Sequence, residues 1–231
     1  MIKIRNSFAN WCRQPENLPT LARQTVTLLS QKLAASECSQ ASEQLSTPMT
    51  LNLSQTGITD LKTFSGLTNL RSLNLADNQI TDISYLSSLV NLTYLDLADN
   101  QITDISYLSS LVNLTYLDLA GNQITDISAL SPLVNLTYLR LSSNQIIDVR
   151  PLSQLRQLKG LDLSENQVDD INPLSNLTNL AFLKINITES VNIPRRFLVQ
   201  QQGKHNYQRV QKLSVIKTKP VEMVQQLSAI S

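Results

Sequence analysis

The chain has 231 residues, of which 16% are charged, and its net charge is +1 at neutral pH. This balance gives no overall field that would draw the chain to nucleic acid, so we expect no nucleic-acid partner. No apolar run approaches the ~20 residues that span a bilayer, so we expect no membrane insertion. Residues 1–11 lack the apolar core of a secretory signal, and we therefore expect a cytoplasmic protein.

Residues 1–48 predict a helical N-terminal cap. The apolar spacing across residues 19–35 predicts an amphipathic helix with Pro19 in its first turn. A second short helix is predicted over residues 39–45, with Phe8 and Trp11 as packing anchors. The cap is expected to cover the open end of the segment that follows. The apolar residues of the first helix are Leu18, Leu21, Ala22, Val26, Leu29 and Leu33.

Residues 49–193 are built from one phrase that recurs every 22 residues. Two copies, residues 81–102 and 103–124, differ only where Asp99 is replaced by Gly121. A fixed period of this length indicates a solenoid of stacked repeats, here about six and a half copies. The copies are marked by Leu51, Leu73, Leu95, Leu117, Leu139, Leu161 and Leu183.

Each copy changes its apolar spacing midway. Leu73 and Leu75 alternate with polar neighbours, which is typical of a strand with one buried face. Ile80, Ile83 and Leu86 follow at intervals of three, which suits a 3₁₀ or irregular helical return. Because one copy has too little apolar surface to fold alone, neighbouring copies must stack and pair their strands.

Two polar columns recur with the same period. An asparagine just after each strand is expected to be buried and hydrogen-bonded to backbone groups of its own copy and the next. An aspartate before each return is expected to bond the local backbone at the turn, and a cation site is the alternative. The asparagines are Asn78, Asn100, Asn122, Asn144 and Asn166, and the aspartates are Asp82, Asp104, Asp126, Asp148 and Asp170.

The pattern LxxLxLxxNxIxxIxxLxxLxx resembles the leucine-rich repeat family. At 22 residues it is similar to the class found in bacterial internalins and in the regulatory subunit of type-1 protein phosphatase, and the resemblance covers residues 49–193. It implies an α/β solenoid, which is a right-handed arc with a concave parallel β-sheet, short 3₁₀ or irregular convex segments and an N-terminal helical cap. It also implies that partners dock on the concave sheet.

The two cysteines belong to the N-terminal cap. The pair Trp11-Cys12, followed by a helix and then Cys38, resembles the helical cap that precedes many bacterial repeats of this type. A disulfide between Cys12 and Cys38 would pin the ends of the helix. Two buried free thiols are the alternative, and a reducing cytoplasm favours them.

The outward strand positions predict a recognition surface. Parallel strands lie about 4.8 Å apart, so Tyr94, Tyr116 and Tyr138 are expected to form a contiguous aromatic ladder. Exposed tyrosines on a rigid sheet are frequent binding anchors, although repeat consensus and cross-strand packing also account for them. The same column continues to Phe182, and the neighbouring column holds Asp96, Asp118, Arg140 and Asp162.

Residues 194–231 form a basic C-terminal segment that departs from the repeat. It holds seven Lys/Arg and one acidic residue, Glu222, whereas residues 49–193 hold seven Lys/Arg and fourteen Asp/Glu. This cap or tail is expected to pack near the acidic array or to be solvated, and contact with a second partner is the alternative. A helix and a last strand pair both remain open for the stretch that ends at Leu213.

The sequence predicts binding rather than catalysis. His205 is the only histidine, the two cysteines are 26 residues apart, and no glycine-rich phosphate loop is present. We therefore expect no enzyme activity, no cofactor and no metal. The prediction is a monomeric, non-catalytic module that holds a protein or peptide on its concave sheet. The alternative is a regulatory or targeting subunit of an enzyme such as a phosphatase or kinase.

Overall fold

The protein is a stack of parallel strands joined by short helical returns. A computed structural model describes residues 16, 20–32, 49–187 and 213–217. Eight strands form one sheet in chain order. They are β1 (Met49–Asn52), β2 (Leu70–Asn74), β3 (Tyr94–Asp96), β4 (Tyr116–Asp118), β5 (Tyr138–Arg140), β6 (Gly160–Asp162), β7 (Phe182–Ile187) and β8 (Leu213–Lys217).

The strands pair at an offset that matches the sequence repeat. From β2 to β7, residues 22 apart lie opposite each other, as Leu95 does with Leu117. Identical repeat positions therefore form columns across the sheet, and the inward leucines of all copies join one continuous core. From β1 to β7 each strand is followed by a return and then by a parallel strand of the same sheet, a connection that is right-handed in nearly all proteins. The predicted α/β solenoid with a parallel sheet is confirmed.

The returns between strands contain 3₁₀ helices, as the three-residue apolar spacing predicts. In front of each, an aspartate accepts a hydrogen bond from the amide two residues on, as Asp104 Oδ1 does from Ser106 N–H at 2.8 Å. Asp82, Asp126, Asp148 and Asp170 make the same contact. They occupy amides that a helix start leaves without a partner. The helices are Lys62–Gly66, Ser84–Ser88, Ser106–Ser110, Ser128–Leu130, Arg150–Gln154 and Asn172–Asn176.

One α-helix, α1 (Thr20–Lys32), covers the first repeat, as expected for the N-terminal cap. Its Val26 and Leu29 are buried in the same core cluster as Phe64, which the first return carries where later copies have leucine. The Thr25 hydroxyl donates to the carbonyl of Asp60 at 3.2 Å and ties the helix to the turn before that return. Across the described ranges, every helix is too short or too polar to span a bilayer.

Several expectations for the N-terminal cap concern residues outside the described ranges. These are the second helix over residues 39–45, the Phe8 and Trp11 anchors, and the Cys12–Cys38 pair. They stay predictions.

The sheet continues beyond the last regular repeat. Strand β8 pairs in parallel with β7 and places Leu213 opposite Leu183. It begins at Leu213, the last residue of the stretch for which the sequence left helix and strand open; the earlier residues of that stretch lie outside the described ranges. The 22-residue period does not reveal it, because 30 positions separate the two paired leucines.

Candidate functional site

Asparagine side chains join neighbouring copies at the end of each strand. Asn100 Nδ2 donates to the carbonyls of Leu97 and Ala98 in its own copy, both at 3.1 Å. It also donates to Leu75 O at 3.0 Å, and its Oδ1 accepts from Ile80 N–H at 3.0 Å. Each asparagine therefore bonds to its own copy and to the preceding copy. The prediction that it would bond to the following copy is wrong. Asn78, Asn122, Asn144 and Asn166 repeat the pattern.

A second asparagine column lies before the strands, and it has a structural role that the sequence predictions did not include. Asn113 Nδ2 donates to Val90 O of the preceding copy at 2.9 Å. Asn91 and Asn135 make the equivalent bond to the carbonyls one copy earlier. The signal for this column is the same 22-residue spacing, here in front of the strand instead of behind it.

The aromatic column on the concave face of the sheet divides into two parts. The Tyr94 and Tyr116 rings stack with centroids 4.5 Å apart and an interplanar angle of 7°. The Tyr138 ring instead lies over Gly160 on the next strand, where an added Cβ would stand 2.8 Å from Tyr138 Cδ1. Tyr138 is 50% exposed and Phe182 is 42% exposed. The column therefore presents a stacked pair and two separate aromatic side chains.

The acidic column beside the aromatic side chains has a structural role in the strand-end turns. Asp96, Asp118 and Asp162 each use Oδ1 to accept from the backbone N–H two residues on, at 2.9–3.1 Å. Asn74 makes the same contact at 2.9 Å. A carboxylate is therefore not required for the turn, and the charge of these aspartates remains available for other contacts.

Two basic residues in this column reach back to the aspartate one strand earlier. Arg140 Nη1 lies 2.9 Å from Asp118 Oδ2, and the Asp118 side chain is 2% exposed. Lys184 Nζ lies 3.5 Å from Asp162 Oδ2. The Tyr116 hydroxyl donates to Asp118 Oδ2 at 3.3 Å, so the Arg140 guanidinium and the Tyr116 phenol share one carboxylate oxygen.

Burial and these charges shift several pKa values on the face. Burial raises the pKa of Tyr94 to about 12 from 10.0, and the nearby charge of Asp96 adds to the effect. Burial, followed by the charge of Asp118, raises the pKa of Tyr116. Burial raises the pKa of Asp96, and Asp118 raises the pKa of the Arg140 guanidinium. Both phenols thus remain protonated donors at neutral pH.

The turns at the two ends of the strands carry different side chains. We call the turns before the strands the strand-start edge, and its exposed valines, 43–47% accessible, are Val90, Val112 and Val134. Arg156 and Lys159 lie in these turns, and Arg71, the second residue of β2, reaches the same edge, where its guanidinium donates to Asn91 O at 3.3 Å. We call the turns after the strands the strand-end edge, and it carries Asp77, Asp99 and Glu165.

The concave face of the sheet presents aromatic rings, carboxylates and a guanidinium on a hydrogen-bonded framework. Within the part of the chain that the structure describes, no three His, Cys, Asp or Glu side chains gather as metal ligands would. Such groups bind charged and apolar side chains through ion pairs, hydrogen bonds and burial.

Family models for leucine-rich repeats match most of the array. The model described as leucine-rich repeats in two copies matches residues 90–132 and 134–176. A second model, described as leucine-rich repeat, matches residues 46–102. No curated protein matches the chain as a relative.

Solved structures of internalins are similar to this chain. Internalin C2 of Listeria monocytogenes is 35% identical, with a TM-score of 0.65, and the match covers 73% of this chain and 74% of that one. Internalin InlF of the same organism is 37% identical, with a TM-score of 0.64, over 70% of this chain. The chain spans 49% of the InlF structure.

A plant structure shares the fold at lower identity. It is the ectodomain of the Arabidopsis thaliana receptor kinase GASSHO1/SCHENGEN3, in complex with CASPARIAN STRIP INTEGRITY FACTOR 2. It is 25% identical with a TM-score of 0.51, and the match covers 56% of this chain and 17% of that one. The family models, the internalin structures and the 22-residue columns agree, and the chain belongs to the leucine-rich repeat proteins of internalin type.

Proposed function

We propose that this chain is a non-catalytic module that binds a protein or peptide on the concave face of its sheet. Leucine-rich repeat proteins generally mediate protein–protein interactions. The plant ectodomain, which was solved in complex with a partner, supports the same role for this fold.

The observation that carries the proposal is the aromatic column. Tyr94, Tyr116, Tyr138 and Phe182 point outward from a sheet whose other face is filled by leucines. The Tyr94 and Tyr116 rings are already restrained by their mutual stacking, so these two side chains lose little further freedom on binding. Rigid tyrosines of this kind are frequent hot spots, since they bury a large apolar area and keep a polar tip.

Affinity capture tests the proposal. The full chain is immobilised, exposed to a lysate of the cells that make it, and compared with the variant Tyr94→Ser, Tyr116→Ser, Tyr138→Ser. The variant should lose capture, since hot-spot aromatics carry about 2 kcal/mol or more each. It should remain folded by circular dichroism and denaturation, because cross-strand packing contributes only about 0.2–1 kcal/mol per pair.

A second variant controls for changes of charge away from the face. Asp82→Asn with Asp126→Asn keeps an oxygen for each turn and should capture the partner normally. Normal capture by a folded triple-serine variant would place recognition on the strand-start edge or in the basic C-terminal segment. The identity of the captured protein separates the two functional alternatives, since an enzyme would favour the regulatory or targeting subunit.

A further inference from the structure

The charged column of the concave face follows a rule with one exception. A basic side chain on one strand neutralises the aspartate on the strand before it, as Arg140 does for Asp118 and Lys184 does for Asp162. Asp96 has no such neighbour among the described residues, because its register partners are Asn74 on β2 and Asp118 on β4. Among the described residues, Asp96 is the aspartate of this column that makes no ion pair with the next strand, although the charge of Arg140, two strands away, acts on it.

Asp96 is partly exposed, and a side-chain hydrogen bond joins it to Tyr94. Its Oδ1 accepts from Ala98 N–H at 3.1 Å, and its side chain is half-buried. The face of the Tyr94 ring that is remote from Tyr116 lies above β2, where the outward residues are the short Ser72 and Asn74. Tyr94 and Asp96 are two positions apart on the same face of β3, so an aromatic ring and a carboxylate are neighbours there.

The chain itself shows which chemistry such a setting accepts. One strand further on, the Arg140 guanidinium approaches Asp118 at 2.9 Å, where the Tyr116 hydroxyl contacts the same oxygen. Tyr116 and Asp118 are the counterparts of Tyr94 and Asp96 in the near-identical next copy, and there the cation comes from the following strand, β5. Guanidinium groups combine strong ion pairing with stacking on aromatic faces, so one group satisfies both neighbours.

We propose that Tyr94 and Asp96, on the β2 side of the stacked tyrosine pair, form a subsite for a cationic side chain, arginine or lysine, of the bound partner. This proposal rests on the concave-face function above and gives one chemical requirement of the partner. The carboxylate takes the charge, the ring covers the apolar part of the cationic group, and the short residues of β2 admit it.

Nuclear magnetic resonance titration of the full chain tests the subsite with two defined probes. One is acetyl-Gly-Arg-Gly-amide, and the other carries citrulline, which has nearly the same shape without the charge. The arginine probe should shift the ring resonances of Tyr94 with a dissociation constant of about 1–10 mM, the range of one small contact. The citrulline probe should bind at least about 10-fold more weakly, because charge-assisted bonds are roughly twice as strong as neutral ones.

Matched variants locate the effect. Asp96→Asn keeps the turn, as Asn74 shows, and should weaken the arginine probe at least about 10-fold. Asp104→Asn removes the same charge on the convex side and should leave the affinity unchanged. The subsite would be overturned if both probes bound equally well, or if the arginine probe left the Tyr94 ring resonances unshifted. Full affinity of the arginine probe for Asp96→Asn would also overturn it.

The failure of the subsite is distinguishable from failure of the proposed function. If partner capture needs the three tyrosines but tolerates Asp96→Asn, the concave face binds the partner without this cation contact. If capture survives the triple-serine variant, the concave-face function itself is wrong.

Discussion

At the scale of single residues, the buried asparagine after each strand is the most heavily used side chain of the array. Asn122 Nδ2 donates to Leu97 O, Leu119 O and Ala120 O, and its Oδ1 accepts from Ile102 N–H. Asn122 is 7% exposed, so its removal leaves these backbone groups in a buried site without their partner.

Asn122→Ala should therefore lower the free energy of unfolding by about 1–3 kcal/mol, the cost of leaving buried polar groups unsatisfied. Chemical denaturation measures the change. Asn113→Ala is the matched control, because Asn113 is exposed and makes one recorded bond, to Val90 O. An equal loss in both variants would show that burial of the Asn122 column is not what stabilises it.

Tyr94 gives a pH-dependent signature of the stacked pair. Its pKa is raised from 10.0 to about 12, first by burial and then by Asp96. The folded pKa lies above the unfolded one, so the stabilisation from keeping Tyr94 protonated is complete below the unfolded value and is lost as pH rises toward the folded one. Phenolate absorbance compared between the wild type and Tyr94→Phe should show Tyr94 ionising well above 10.0. Ionisation at the ordinary value would contradict the burial of this ring.

The sequence predicts which residues share a column, but not how their side chains divide the space. A 22-residue period with parallel strands is enough to align Tyr94, Tyr116 and Tyr138. Which rings stack depends on the neighbours of each: Gly160 has no side chain, and the Tyr138 ring occupies the space over it. The pairing of Arg140 with Asp118 depends equally on side-chain conformation, which period alone does not specify.

At the scale of the element, the turn after each of the strands β1 to β6 places one residue in the left-handed backbone region. Asp99 takes this position with φ of 54°, and Gly121 takes it in the next copy with φ of 66°. The Asp99 carboxylate occupies the place where a Cβ at position 121 would lie. The single difference between the two near-identical copies thus falls where a side chain would meet a neighbouring carboxylate.

Gly121→Asp should lower the free energy of unfolding by about 1–2 kcal/mol, since it adds left-handed strain and a like charge beside Asp99. Thermal denaturation measures the loss. Gly57→Ala isolates the backbone contribution, because Gly57 has φ of 71° and nothing lies within 4 Å of where its Cβ would be. If Gly121→Asp lost no more stability than Gly57→Ala does, the contact with Asp99 would be unimportant.

Elements inside the repeat are predictable and elements outside it are less so. The change from a two-residue to a three-residue apolar period indicates both strand and 3₁₀ return, and the aspartate before each return marks where the helix begins. Strand β8 does not follow the 22-residue period, because Leu213 pairs with Leu183, 30 positions earlier. Its pairing depends on the exposed edge that β7 would otherwise leave, a tertiary property.

At the scale of the whole molecule, three surfaces compete for the role of binding site. The concave face carries the aromatic column, the strand-start edge carries exposed valines with Arg71 and Lys159, and the strand-end edge is acidic. The central claim is that the concave face is the one buried in the complex.

Hydroxyl-radical footprinting of the captured complex tests this claim most directly, because it reports side-chain exposure on all three surfaces at once. We predict that Tyr94, Tyr116, Tyr138 and Phe182 become protected relative to the free chain. Val90, Val112 and Val134 on the strand-start edge, together with Tyr107 on the convex returns, should react as they do in the free chain. Protection of the valines with unchanged reactivity of the four aromatic residues would contradict the account and place recognition on the edge.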